Sequence, residues 1–160
     1  MAFFPSILHL GLTAWFIFGS INIAQSAEEI NHDRHLQNSS ELILNNGQQW
    51  QTDIPLRQGM ENIRHDIEAI LPRIHNDSLP SDQYTILAKN IREHIDYIFK
   101  NCKLSPEVDT QLHVILEKII NGTNAMDAKI NPSSGAILII NALNTYGRYF
   151  SHPGWNPISH

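Results

Sequence analysis

Met60, Cys102, His94 and His113 bring a thioether, the chain's only thiol and two imidazoles into one helical sequence. Together these donors favour copper, above all Cu(I), over hard cations that want carboxylates. His152 adds a third imidazole near the C-terminus. Asp109 stands four residues before His113, the helical spacing at which a carboxylate accepts an imidazole N–H and orients the ring for a metal. Each residue also has a plainer reading: Met60 as core filling, His94 and His113 as solvated flank residues, His152 as a helix terminator, and Cys102 as a buried inert thiol.

Catalytic signatures do not accompany them. The sequence has no Gly-x-Ser-x-Gly, His-Glu-x-x-His, phosphate loop or dinucleotide fingerprint, and Glu107, Asp109 and Glu117 suit a solvated helix face. Cys102 with His94 or His113 would make a nucleophile and base, but nothing in the sequence supplies an oxyanion hole. The net charge of -5, with Lys and Arg scattered, gives no basic field for phosphates, so nucleic acid is not an expected partner.

The elements that must position these groups are four amphipathic helices. Leu56, Met60, Ile63, Ile67, Ile70 and Ile74 follow spacings of three and four after Asp53 as cap and Pro55 in the first turn, with Pro72 kinking or ending the helix. Ser81 is expected to cap a second helix with the stripe Tyr84, Leu87, Ala88, Ile91, Ile95, Ile98 and Cys102, ending near Lys103. Ser105 and Pro106 start a third, carried by Val108, Leu112, Ile115 and Ile119 and stopped by Asn121-Gly122. Asn131-Pro132 starts the fourth, with Ala136, Ile139, Ile140, Leu143, Gly147 and Phe150 inward and Pro153-Gly154 beyond its end. Short connections predict an all-α, antiparallel, up-down-up-down four-helix bundle over residues 53–155.

That topology gathers the start of helix one, the end of two, the start of three and the end of four. At a rise of 1.5 Å per residue, Met60 and His113 lie about 9 and 12 Å inside their helix starts and His94 about 13 Å from the end of helix two, which is one level of the bundle. Cys102 and Gly147 lie nearer the rim, flanked by Trp50, His152 and Trp155. A glycine at a core-facing position predicts either close helix approach or room for a ligand.

Residues 1–27 read as a signal peptide: an almost uncharged apolar run over 7–23, then Ala24, Ser26 and Ala27, with cleavage after Ser26 or Ala27. No Lys or Arg precedes the run, so an uncleaved anchor is the alternative. No later segment approaches the roughly 20 apolar residues that a membrane span needs. About 133 residues remain, enough for one domain in a periplasmic or secreted protein. Residues 28–52 read as a flexible polar arm, and 156–160 as a tail. His32 and His35 in the arm lack Cys or carboxylate support for a metal. Asn38-Ser39-Ser40, Asn76-Asp77-Ser78 and Asn121-Gly122-Thr123 match the glycosylation sequon. The single cysteine permits no intramolecular disulfide and leaves a disulfide-linked dimer open.

Pro55-Leu56-Arg57-Gln58-Gly59-Met60, Asn101-Cys102-Lys103-Leu104, Gln111-Leu112-His113 and the run from Tyr146-Gly147-Arg148 to His152-Pro153-Gly154-Trp155 resemble motifs of a family of small secreted helical-bundle proteins from proteobacteria. The similarity covers roughly residues 44–155. It implies export and a bundle, marks Met60, Cys102, His113 and His152, and names no ligand. Met60-Glu61 early in helix one also resembles cytochrome b562, a periplasmic four-helix bundle whose haem is held by a methionine near the start of helix one and a histidine near the end of helix four. Here that stretch of helix four carries Tyr146, Gly147 and Phe150, and His152 falls past the helix. There is no Cys-x-x-Cys-His for covalent haem. Haem held by Met60 with His113 or His152 therefore ranks behind copper.

The expectation is an exported bundle that binds a soft metal at Met60, Cys102, His94, His113 and His152, with Asp109 supporting His113, in metal handling rather than turnover. The competing reading is a metal-free binding or interaction module whose aromatic end, Trp50, Tyr146, Tyr149, Phe150 and Trp155, docks another exported protein or a small ligand. The same aromatics would serve equally as a plug closing the core.

Overall fold

The computed structural model describes residues 41–129 and 131–159. The signal peptide, His32, His35 and the Asn38 sequon lie outside them. Among the described residues, four helices carry the fold: α1 (Ile54–His75), α2 (Ser81–Asn101), α3 (Pro106–Asp127) and α4 (Pro132–Tyr149). A two-residue strand precedes them, β1 (Trp50–Gln51), and another follows, β2 (Phe150–Ser151); the two pair in parallel, Trp50 with Phe150 and Gln51 with Ser151. Among the described residues, no helix is long and apolar enough to cross a membrane.

The predicted stripes form the interior. Met60, Ile63 and Ile67 of α1, Ile91 of α2, Ile115 of α3 and Leu143 of α4 are wholly buried in one all-α core. The Tyr97 hydroxyl donates to Gln58 Oε1 at 2.9 Å, while His94 meets Asp66 farther along α1. Arg92 meets Asp127, and Phe99 meets His113. Higher numbers on one helix thus meet lower numbers on the next.

Three helix boundaries differ from the sequence reading. Asn121-Gly122 does not stop α3, which continues to Asp127 with Met126 wholly buried. A Cβ on Gly122 would come 2.7 Å from the Gly135 carbonyl oxygen, and one on Gly135 would come 2.5 Å from that of Gly122. The glycine is needed there for close helix approach rather than for a cap. Pro72 lies inside α1, which runs on to His75 without the ladder bond that a proline cannot donate. Pro80, not Ser81, occupies the N-cap of α2, and that end has no capping bond from a side group.

Packing on the bundle also extends beyond 53–155. Leu42 and Trp50 pack on the core, the Ile43 amide donates to Gln111 Oε1 at 2.8 Å, and the Trp50 indole donates to the Ile43 carbonyl at 2.7 Å. Gln49 Nε2 donates to the Gly147 carbonyl at 2.9 Å. Residues 41–52 are therefore fixed to the bundle rather than forming a flexible arm. Beyond α4, Ile158 is buried, and its amide and carbonyl both bond the Asn144 side chain, at 2.8 and 3.0 Å. This two-way bond replaces the expected tail.

Candidate functional site

Asp53 joins the start of α1 to the end of α2. Its Oδ1 accepts from the Leu56 amide at 2.9 Å, which is the N-cap bond, and its Oδ2 accepts from the Lys103 amide at 2.7 Å. The half-buried Cys102, C-cap of α2, lies beside the same carboxylate. Burial, reinforced by the Asp53 charge, pushes the Cys102 thiol up to about 12. It is therefore a protonated thiol at neutral pH, not a ready nucleophile or thiolate ligand.

Tyr146 stands at the centre of this end, wholly buried. Its hydroxyl lies 3.1 Å from His152 Nδ1, and its ring stacks on Phe150 at 5.2 Å and meets the edge of Trp155 at 4.9 Å. Burial raises the Tyr146 phenol, so it stays un-ionised; Arg57, Cys102, Asp53 and Glu61 all lie close enough to influence it. Burial also lowers the His152 imidazole, with Glu61 opposing and Arg57 and Arg64 reinforcing the shift. Arg57 Nη1 is committed to the Thr52 carbonyl at 2.6 Å.

Arg64 bridges Glu61 at 2.5 Å and Glu68 at 2.7 Å, which holds the Glu61 carboxyl below its ordinary range, and its guanidinium lies 5.5 Å from the Trp155 ring centre. Trp155 occupies the space that Gly147 leaves: a Cβ there would come 2.5 Å from the indole nitrogen. The room predicted at Gly147 is filled by the protein's own indole. Its N–H is buried and has no acceptor among the described residues.

The soft donors expected at one level are distributed over different surroundings. Met60 is 0% exposed, inside the core. His94 Nε2 lies 3.1 Å from Asp66 Oδ2 across the α1–α2 contact. His113 is exposed on α3; its Nδ1 lies 2.8 Å from the Asp109 carbonyl and 3.4 Å from Asp109 Oδ2, and its ring packs 5.9 Å from Phe99. Asp109 thus reaches His113 as the spacing implies, on an open helix surface. Of these donors, His152 meets the Tyr146 hydroxyl, and Cys102 lies near enough for its charge to influence it. Among the described residues, no three His, Cys, Asp or Glu side chains are grouped to hold a metal.

Of the predicted aromatic end, Phe150 and Tyr146 are the plug, while Trp50, Tyr149 and Trp155 are half-buried against it. Its rim exposes apolar side chains: Ile43, Leu44, Ile54 at the very start of α1, 70% exposed, and Phe99 in the last turn of α2. The sequence reading missed this rim, the second bond of Asp53, and the Glu61–Arg64–Trp155 contact. Glu61 and Arg64, three apart on a helix, were a legible pair; their indole neighbour was not. Comparison of the sequence and fold with protein families, with curated proteins and with solved structures finds no match.

Proposed function

We propose that this protein is a periplasmic or secreted, metal-free and non-catalytic binding module that docks another exported protein through the end of the bundle built on Tyr146. The observation that carries this reading is the rim. Ile43, Leu44, Ile54 and Phe99 stay exposed around an end whose interior is already closed by Tyr146, Phe150 and Trp155. Exposed apolar side chains grouped beside polar ones are the ordinary composition of a protein-binding surface. Catalysis has little support here: the one thiol is protonated and lies beside a carboxylate, and His152 is turned to a phenol.

Copper handling is the second reading. It is favoured by Cys102 and His152, two soft donors at the same end of the bundle, His152 against the Tyr146 hydroxyl and Cys102 near enough to influence it. A Cu(I) ion there would have to displace a proton held more tightly than in an ordinary thiol. Haem fits less well, since its axial methionine would have to be Met60, which is wholly enclosed.

One experiment separates the readings. The full-length protein is cross-linked in its native exported fraction, alone and as the Ile54→Asp/Phe99→Asp double variant, and purified protein is titrated with Cu(I) against a competing chelator. Surface changes of this kind leave stability within about 0.5 kcal/mol. A stoichiometric partner lost in the folded double variant supports docking. Tight equimolar Cu(I) that disappears in Cys102→Ser, with no partner, would replace it by the metal reading.

A further inference from the structure

The sequence contains two Asn-Gly steps, Asn46-Gly47 and Asn121-Gly122, and the fold places them in opposite circumstances. Asn-Gly is the most labile amide step in a polypeptide, because glycine offers no Cβ to block attack by its own nitrogen on the neighbouring side chain. Whether the reaction runs in a folded protein depends on whether that nitrogen and the backbone around it are free to move.

We propose that Asn46 is a site of spontaneous modification, converting to aspartate and isoaspartate in the native protein, while Asn121 is protected by the fold. Asn46 and Gly47 are the central residues of a two-residue hairpin turn, at φ 50° and 82°. Asn45 and Gln48 close it with two backbone bonds, of 2.8 and 2.9 Å, in which the Gly47 nitrogen takes no part. Both central residues are exposed, and beyond the adjoining residues no atom lies within 4 Å of where a Gly47 Cβ would stand. At the other step the Gly122 nitrogen belongs to the α3 hydrogen-bond ladder, and the Gly122 backbone is pressed against that of Gly135.

In the reaction the Gly47 nitrogen attacks the Asn46 amide carbon, Cγ. The new bond from Cγ to the Gly47 nitrogen forms as the bond from Cγ to Nδ2 breaks, and Nδ2 leaves as ammonia with the proton lost from Gly47. Water then opens the five-membered imide at either carbonyl, giving aspartate or isoaspartate. Isoaspartate lengthens the backbone by one methylene, so the Asn45–Gln48 pair cannot close as before. Aspartate adds a negative charge beside the exposed Ile43 and Leu44.

The full-length protein is aged in mildly alkaline buffer, with and without urea, and digested for peptide mass spectrometry. Native protein should gain about 1 Da at Asn46, with the paired isoaspartyl and aspartyl peaks of imide opening, at least about tenfold faster than at Asn121, since a helix interior must first open. In urea the two steps should react at similar rates. Asn46→Gln should remove the native signal. Equal native rates, or a difference that persists unchanged in urea, would overturn the assignment, the first because the fold protects neither step and the second because the fold plays no part.

Discussion

Tyr146 and His152, six residues apart, are joined by a 3.1 Å hydroxyl–imidazole contact that bends the backbone back over the end of α4. Its surroundings favour the neutral imidazole: burial lowers the His152 value, and Arg57 and Arg64 add to the effect against Glu61.

The pH dependence follows with a definite sign. A histidine whose folded value is depressed binds fewer protons folded than unfolded, so stability falls as pH drops below the unfolded value of about 6.5. Thermal unfolding of the wild type should lose stability between about pH 7 and pH 5.5 more steeply than His152→Gln. Parallel curves would show that His152 is solvated. Glu61, whose carboxyl is lowered by Arg64, contributes in a separate window below its ordinary value of 4.5.

Cys102 should be a sluggish thiol. With a value near 12 it reacts with iodoacetamide far more slowly in the native protein than in urea. Asp53→Asn keeps a capping side chain on α1 and removes the negative charge facing the sulfur, so it should accelerate native alkylation. An unchanged rate would leave burial as the whole cause.

Gly122→Ala and Gly135→Ala test the α3–α4 crossing. Alanine is the better helix former by about 1 kcal/mol, but each Cβ would meet the facing backbone as well as a side chain, Ile139 from position 122 and Met126 from position 135. Overpacking should win, with net destabilisation of about 1–3 kcal/mol by urea unfolding. Stabilisation would mean that the helices part freely.

Asn144 holds the C-terminal segment through both backbone groups of Ile158. Asn144→Ala should cost about 1–3 kcal/mol and abolish hydrogen-exchange protection of the Ile158 amide. If that protection persists, Ile158 is held by apolar burial alone.

The helices were legible because their stripes repeat at three and four residues, and burial follows Leu56, Met60, Ile63 and Ile67 as the spacing predicts. Asn121-Gly122 misled because a local stop signal and a close-packing signal are written with the same residue; only Gly135, thirteen positions later, distinguishes them. Residues 41–52 looked unattached because they are fixed largely by backbone and amide bonds, to Gln111 and Gly147, which leave no apolar pattern. Rise per residue placed Met60, His94 and His113 at one level, but level says nothing of direction. Each histidine instead lies beside a carboxylate, Asp66 or Asp109, with His113 turned to solvent.

The parallel pairing of β1 with β2 closes the four helices into one ring, with Gln49 bonded to Gly147, 98 positions away. Closing a loop of that size carries an entropic penalty that local helix contacts do not face, so this seam should form last in folding. It also brings the two ends of the helical core side by side. A circular permutant that joins them by a short linker, and opens the backbone between α2 and α3, should fold to the same bundle and fold faster.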